Sequence, residues 1–253
     1  MRLSIFPSMV CVSFGSGGNG GKGGKKERIK GFSEKSRLNM IKFMHSIEFS
    51  GGVLITLTYG GDWRSEALET KKHLQAWRRY FEKKYGRVRS IWKLELQLRG
   101  APHYHIFVLD EVFIDIRDAG RVWHKIVGSI QDVHEKIGVD VKKVGGGSDV
   151  RNVGKYVGKY VSKIVSEEEE DEIGYRGRYW GHWNVDAPSP VVVNVERGLE
   201  AEFLTEQKLI NGVNVGVWMT ESEYGYTLFT GDVGTRNSGE KTIDIVERLV
   251  YSS

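Results

Sequence analysis

Ser90-Ile91-Trp92-Lys93-Leu94-Glu95-Leu96-Gln97-Leu98, then Arg99-Gly100-Ala101-Pro102, then His103-Tyr104-His105-Ile106-Phe107-Val108-Leu109 is the stretch whose reading decides the fold. Two runs rich in β-branched and aromatic residues flank a short segment with Gly and Pro, which spells strand, turn, strand. Side chains alternate across a strand. Leu94, Leu96 and Leu98 therefore share one face, and Glu95 and Gln97 share the other. By the same parity, His103 and His105 point the same way.

The neighbouring segments extend the pattern. Val53-Leu54-Ile55-Thr56-Leu57-Thr58-Tyr59 reads as a strand half facing a core. Residues 65–85 read as a helix that buries Leu74, Trp77, Phe81 and Tyr85 and exposes Lys71, Lys72, Arg78, Arg79, Lys83 and Lys84. A further helix over 116–137 and a short strand over 139–144 lead through Gly145-Gly146-Gly147 to a helix over 149–165. Short strands are expected at 191–195, 213–219 and 226–230. Strands mixed with helices, and joined by a hairpin, predict an α+β domain with a central antiparallel sheet. It is bounded at 32–185, between a flexible Gly-rich segment (1–31) and an acidic, strand-containing region (186–253).

Composition narrows the function classes. The net charge is only +4, but residues 1–165 carry 30 Lys/Arg against 16 Asp/Glu, and residues 166–253 carry 7 against 17. The first part suits a polyanion and the second repels one. The run Glu167–Glu172 marks the change and reads as a solvated linker. Cys11 is the only cysteine, which excludes an intrachain disulfide and a cysteine-based zinc site and fits a reducing cytoplasm. No apolar run approaches the roughly 18 residues of a membrane span, so no membrane partner is expected. Arg2 and the stretch 3–14 imitate a leader peptide, against which stand Pro7, the serines and the lack of an Ala-x-Ala site. Gly15–Gly24 reads as a flexible linker rather than a phosphate-binding loop, because Ser16 and Asn19 stand where a Walker pattern needs glycine.

Two constellations carry chemistry. His103 and His105 can present two imidazoles to one metal, with Glu95 or Gln97 across the hairpin supplying an oxygen. Such a mixed site suits a divalent metal, Mg2+ or Mn2+. Taken alone, His-x-His equally describes two half-buried, hydrogen-bonded histidines. On the helix over 149–165, Val150, Val153, Val157, Val161 and Ile164 form an apolar stripe. With Val153 at zero, Tyr156 lies at about 300°, Tyr160 at about 340°, Lys163 at about 280° and Lys159 at about 240°. Both phenols and Lys163 share a face, although tyrosines four apart also simply border a core. Farther on, Arg176, Arg178, Tyr179, Trp180 and Trp183 mix cations with aromatic rings, suited to stacking unpaired bases or to packing on the sheet.

Together these runs resemble the HUH endonuclease superfamily, in particular the two-tyrosine rolling-circle replication initiators of small single-stranded-DNA phages. Leu54–Tyr59 is similar to the family's first strand motif, Gly100–His105 to its metal motif and Tyr156–Lys163 to its nucleophile motif. The resemblance covers roughly residues 32–185. It implies a core of HUH/RRM type, with the metal site on the sheet and the tyrosines on an adjacent helix. It further implies metal ligation by His103 and His105, nucleophilic roles for Tyr156 and Tyr160, and phosphate positioning by Lys163 and Lys159. An acidic or amide residue on the preceding strand would complete the site, Glu95 before Gln97, since a carboxylate binds a hard cation better. The implied activity is metal-dependent nicking of single-stranded or hairpin origin DNA, through a 5′-phosphotyrosine link, with rejoining. Host polymerase and helicase would be partners in a bacterial cytoplasm. A two-tyrosine transposase or plasmid initiator shares that chemistry, and a non-catalytic DNA-binding regulator is the contrasting expectation.

Overall fold

The computed structural model describes residues 2–6, 9–13, 32–47, 51–60, 67–97, 101–129, 132–145, 178–186, 189–194 and 226–229. The glycine linker, the expected helix over 149–165 with Tyr156, Lys159, Tyr160 and Lys163, the acidic run, Arg176 and the expected strand at 213–219 lie outside them. Two compact units are present: one comprises Met1–Lys26, Ile41–Glu48 and Ala187–Ser253, the other Glu27–Met40 and Phe49–Asp186.

The first unit corrects the expectation of a flexible segment over 1–31. Strands β1 (Arg2–Phe6) and β2 (Met9–Ser13) pair antiparallel in register from Arg2↔Ser13 to Phe6↔Met9. β1 also pairs with β8 (Val191–Asn194), and β2 with β9 (Tyr226–Phe229), in the order β8-β1-β2-β9. The N-terminal residues thus belong with the C-terminal region. Cys11 is buried there.

After α1 (Glu34–His45), the second unit contains β3 (Gly51–Thr58), α2 (Ala67–Tyr85), β4 (Ser90–Leu96), β5 (Pro102–Val108), α3 (Ile116–Val127), α4 (Asp132–Ile137), β6 (Val139–Gly145) and β7 (Trp180–Trp183). Its strands form one antiparallel sheet in the order β6-β3-β5-β4-β7. With its helices this is the expected α+β fold. One face carries Val53, Ile55, Leu57, Trp92, Leu94, Tyr104, Ile106 and Val108 into a core shared with Trp77 and Phe81 of α2 and Trp123 of α3. Leu74, Trp77 and Phe81, the stripe read from the helical period, are all buried. Aromatic edges tie the layer together: Trp77 and Trp123 meet at 6.0 Å and 89°.

The single helix expected over 116–137 is broken. Asp115 caps α3 by accepting from the backbone N–H groups of Arg117 and Asp118, and Gly128 ends it in the left-handed region at φ 63°. α4 then folds back across α3, where Gly120 lies so close that an added Cβ would overlap the Glu135 carbonyl oxygen. Among the described residues no helix is long and apolar enough to cross a membrane.

Gly120→Ala tests that crossing. Alanine gains about 1 kcal/mol of helix propensity over glycine, but overpacking costs about 1–3 kcal/mol. We expect a net loss of stability in urea unfolding; a net gain would show that α3 and α4 do not pack this closely.

Candidate functional site

The register of three adjacent strands places the predicted residues together. On the sheet face opposite the α2 and α3 core, antiparallel pairing aligns Thr56 of β3, His105 of β5 and Lys93 of β4 in one row. Thr58, His103 and Glu95 form the next. A third row, Leu54, Phe107 and Ile91, is apolar and buried. The polar rows therefore begin at the edge of a closed apolar surface. His105 is 5% exposed, and Lys93 only 1%.

Every polar atom in this cluster has a neighbour of suitable chemistry. His105 Nε2 lies 3.1 Å from Glu95 Oε2 and its Nδ1 3.3 Å from the Thr56 hydroxyl. The carboxylate can only accept, so Nε2 carries the proton and Nδ1 accepts from Thr56. Lys93 Nζ donates to Glu95 Oε1 at 3.0 Å, and its ammonium lies 5.7 Å from the Phe32 ring centroid. His103 lies between Gln97, whose Nε2 is 3.2 Å from Nδ1, and the Thr58 hydroxyl, 3.3 Å from Nε2. The two imidazoles stack at 4.6 Å and 25°. Burial pushes the Glu95 carboxyl towards neutrality, but the His105 hydrogen bond and the Lys93 ammonium outweigh it and hold its pKa down at about 2. The carboxylate is ionised at neutral pH.

His103, His105, Glu95 and Gln97 thus gather at one place, with Gln97 backing His103 and Glu95 backing His105. In chemistry, two imidazoles and an ionised carboxylate fit a divalent cation with room for oxygen ligands. In geometry, these donors bond to one another, and among the described residues no three His, Cys, Asp or Glu side chains are gathered to hold an ion. Lys93 was not singled out from the sequence, although strand parity puts it on the face of Glu95 and Gln97. Asp140 was also missed. It stands opposite Thr56 on β6, so it shares this face, and it forms an exposed ion pair with Lys142 at 2.9 Å.

The aromatic cluster divides. Tyr179 is 3% exposed and Trp183 8%, both within the core, and Tyr179 stacks on Phe32 with ring centroids 6.0 Å apart. Tyr179 therefore has no free face for a base, contrary to its expected stacking role. Trp180 faces the same side as Lys93, is half-buried, and donates from Nε1 to the Ser36 hydroxyl at 3.2 Å. Arg178 is exposed. Gly181 opposes Trp92, and a Cβ there would come within 2.8 Å of the indole, so the edge strand lies tightly on the sheet.

A buried polar cluster on one side of an antiparallel α+β sheet, with the packed helices on the other, defines the class of molecule. Residues 52–165 match a family of replication-associated proteins, that of the replication-associated protein ORF2. The matched stretch begins in β3, takes in the whole cluster and runs past Tyr160, and it covers a little under half of the chain. It supports a replication initiator, with DNA as the partner. No curated protein and no solved structure matches significantly.

Removing one partner of the buried ion pair leaves the other charge uncompensated, at about 3–5 kcal/mol. We expect Glu95→Gln and Lys93→Met each to lose stability on that scale, and the double variant to lose clearly less than their sum. Additive losses in denaturant titrations would show that the two charges do not interact.

Proposed function

We propose that this chain nicks and rejoins single-stranded or hairpin DNA at a replication origin, using Tyr156 and Tyr160 as nucleophiles. One observation carries the reading. His103, His105 and Glu95, expected from sequence as metal ligands, meet in one cluster inside the stretch that matches replication-associated proteins. That stretch also contains both tyrosines.

His103, His105 and Glu95 would hold a divalent cation, Mg2+ or Mn2+, with Gln97 orienting His103. When bound, such an ion neutralises charge on a scissile phosphate. The phenol of one tyrosine attacks phosphorus, the bond to the 3′ oxygen breaks, and that oxygen leaves as a 3′-hydroxyl after taking up a proton. A phenol is mostly neutral at pH 7, its ordinary pKa being about 10, so the attack depends on charge stabilisation at phosphorus. Lys163, and Lys159 beside it, contribute fixed positive charge to the phosphate oxygens. The 5′-phosphotyrosine keeps the phosphodiester energy, so joining needs no nucleotide cofactor. While one tyrosine holds the old end, the second cuts the regenerated site, and the freed 3′-hydroxyl closes the circle. A host polymerase extends the first 3′-hydroxyl and a host helicase opens the duplex. Arg176, Arg178 and the open edge of Trp180 supply cationic and aromatic contacts to the unpaired strand.

The full-length protein, incubated with single-stranded origin DNA and Mg2+ or Mn2+, should yield a protein–DNA adduct that survives denaturant. Tyr156→Phe/Tyr160→Phe should abolish it, and His103→Ala/His105→Ala or a chelator should abolish metal-dependent cleavage. An adduct formed by the double Phe variant would assign the nucleophile elsewhere.

A further inference from the structure

We infer that Lys93 is a built-in counter-ion for Glu95, holding the resting cluster near neutrality so that a divalent cation is taken up together with a DNA phosphate. This rests on the reading above, in which Glu95, His103 and His105 hold the ion.

The observations are electrostatic and steric. Lys93 Nζ and Glu95 Oε1 are 3.0 Å apart, and their side chains are only 2% and 12% exposed. An ammonium so enclosed requires a counter-charge. Glu95 supplies it. The Lys93 stem is fixed in the middle of a strand, opposite His105 on one side and Trp180 on the other, with the Phe32 ring near its ammonium. It has no short route to solvent.

Imidazoles bind metals in the neutral form. With His103 and His105 neutral, the described ligands and Lys93 sum to no net charge. Cation affinity of oxygen-rich sites follows the number of negative ligands. Here the single carboxylate is already shared between an ammonium and an imidazole N–H. A divalent ion entering alone meets like charge on the other side of that carboxylate, in surroundings where screening is weak. A phosphate oxygen brings both a ligand and the missing negative charge. Linkage makes the effect reciprocal: DNA raises metal affinity by the factor by which metal raises DNA affinity.

The test measures Mn2+ affinity by titration with electron paramagnetic resonance, on full-length Tyr156→Phe/Tyr160→Phe protein so that no strand is cut. Titrations run with and without a single-stranded oligonucleotide. Expected are a gain of about tenfold or more in Mn2+ affinity with DNA, and the same factor for DNA with Mn2+. Adding Lys93→Met should raise the DNA-free Mn2+ affinity by about tenfold or more and shrink the coupling. Should that variant not fold, Lys93→Gln removes the same charge while keeping a donor for Glu95, and carries the same expectation. Unchanged DNA-free affinity overturns the inference. So does a loss of about 10–100-fold, which would make Lys93 an orienting partner of the carboxylate. If the Lys93-bearing protein binds Mn2+ equally with and without DNA, only this inference falls. If it binds none in either condition, the metal reading of the site falls with it.

Discussion

The pairing register of β3, β5 and β4 is the constraint on which both faces of the sheet depend. It sets Thr58, His103 and Glu95 in one row and Thr56, His105 and Lys93 in the next, while every intervening residue enters the aromatic core. Because the side-chain period is two, a slip of one residue would exchange the faces, driving two imidazoles and an ion pair against Trp77 and Trp123. Thr58 joins the two sides. Its carbonyl accepts from Trp123 Nε1 at 2.8 Å and His134 Nε2 at 2.7 Å, and its hydroxyl reaches His103. The helices that fill the core thus also fix the end of the strand that supports the site.

Local pattern made much of this legible. Alternation in the 90–109 stretch gave the hairpin and the shared face of His103, His105 and Glu95, and the 3.6-residue period gave the buried side of α2. What escaped depends on distance in the chain or on context. β1 and β2 are short, and their outer partners lie beyond residue 190, so no local window shows the pairing. The apolar period of 116–137 continues across Gly128, which hid the turn between α3 and α4 until the left-handed φ was seen. Tyr179 and Trp183 read equally well as stacking surfaces or as core, and sheet packing settled both as core. Lys93 looked like an ordinary solvent-facing residue. Only the burial of both sheet faces turns it into an enclosed charge.

That enclosure is hard to explain as a device for stability. Desolvating two charges offsets most of their attraction, and a well-packed apolar pair of similar volume is often neutral or better. The same face already shows the alternative one row away, where Leu54, Phe107 and Ile91 pair across the strands and are buried without any charge. Exposure rises along β4 from Ile91 and Lys93 to Glu95 and Gln97, towards the turn before His103. The carboxylate therefore stands at the wetter end of the pair and the ammonium at the drier end, the reverse of a surface lysine extending its stem to water. A charge placed behind a carboxylate, within a sheet that could have been closed with hydrocarbon, acts on whatever approaches that carboxylate from the open side.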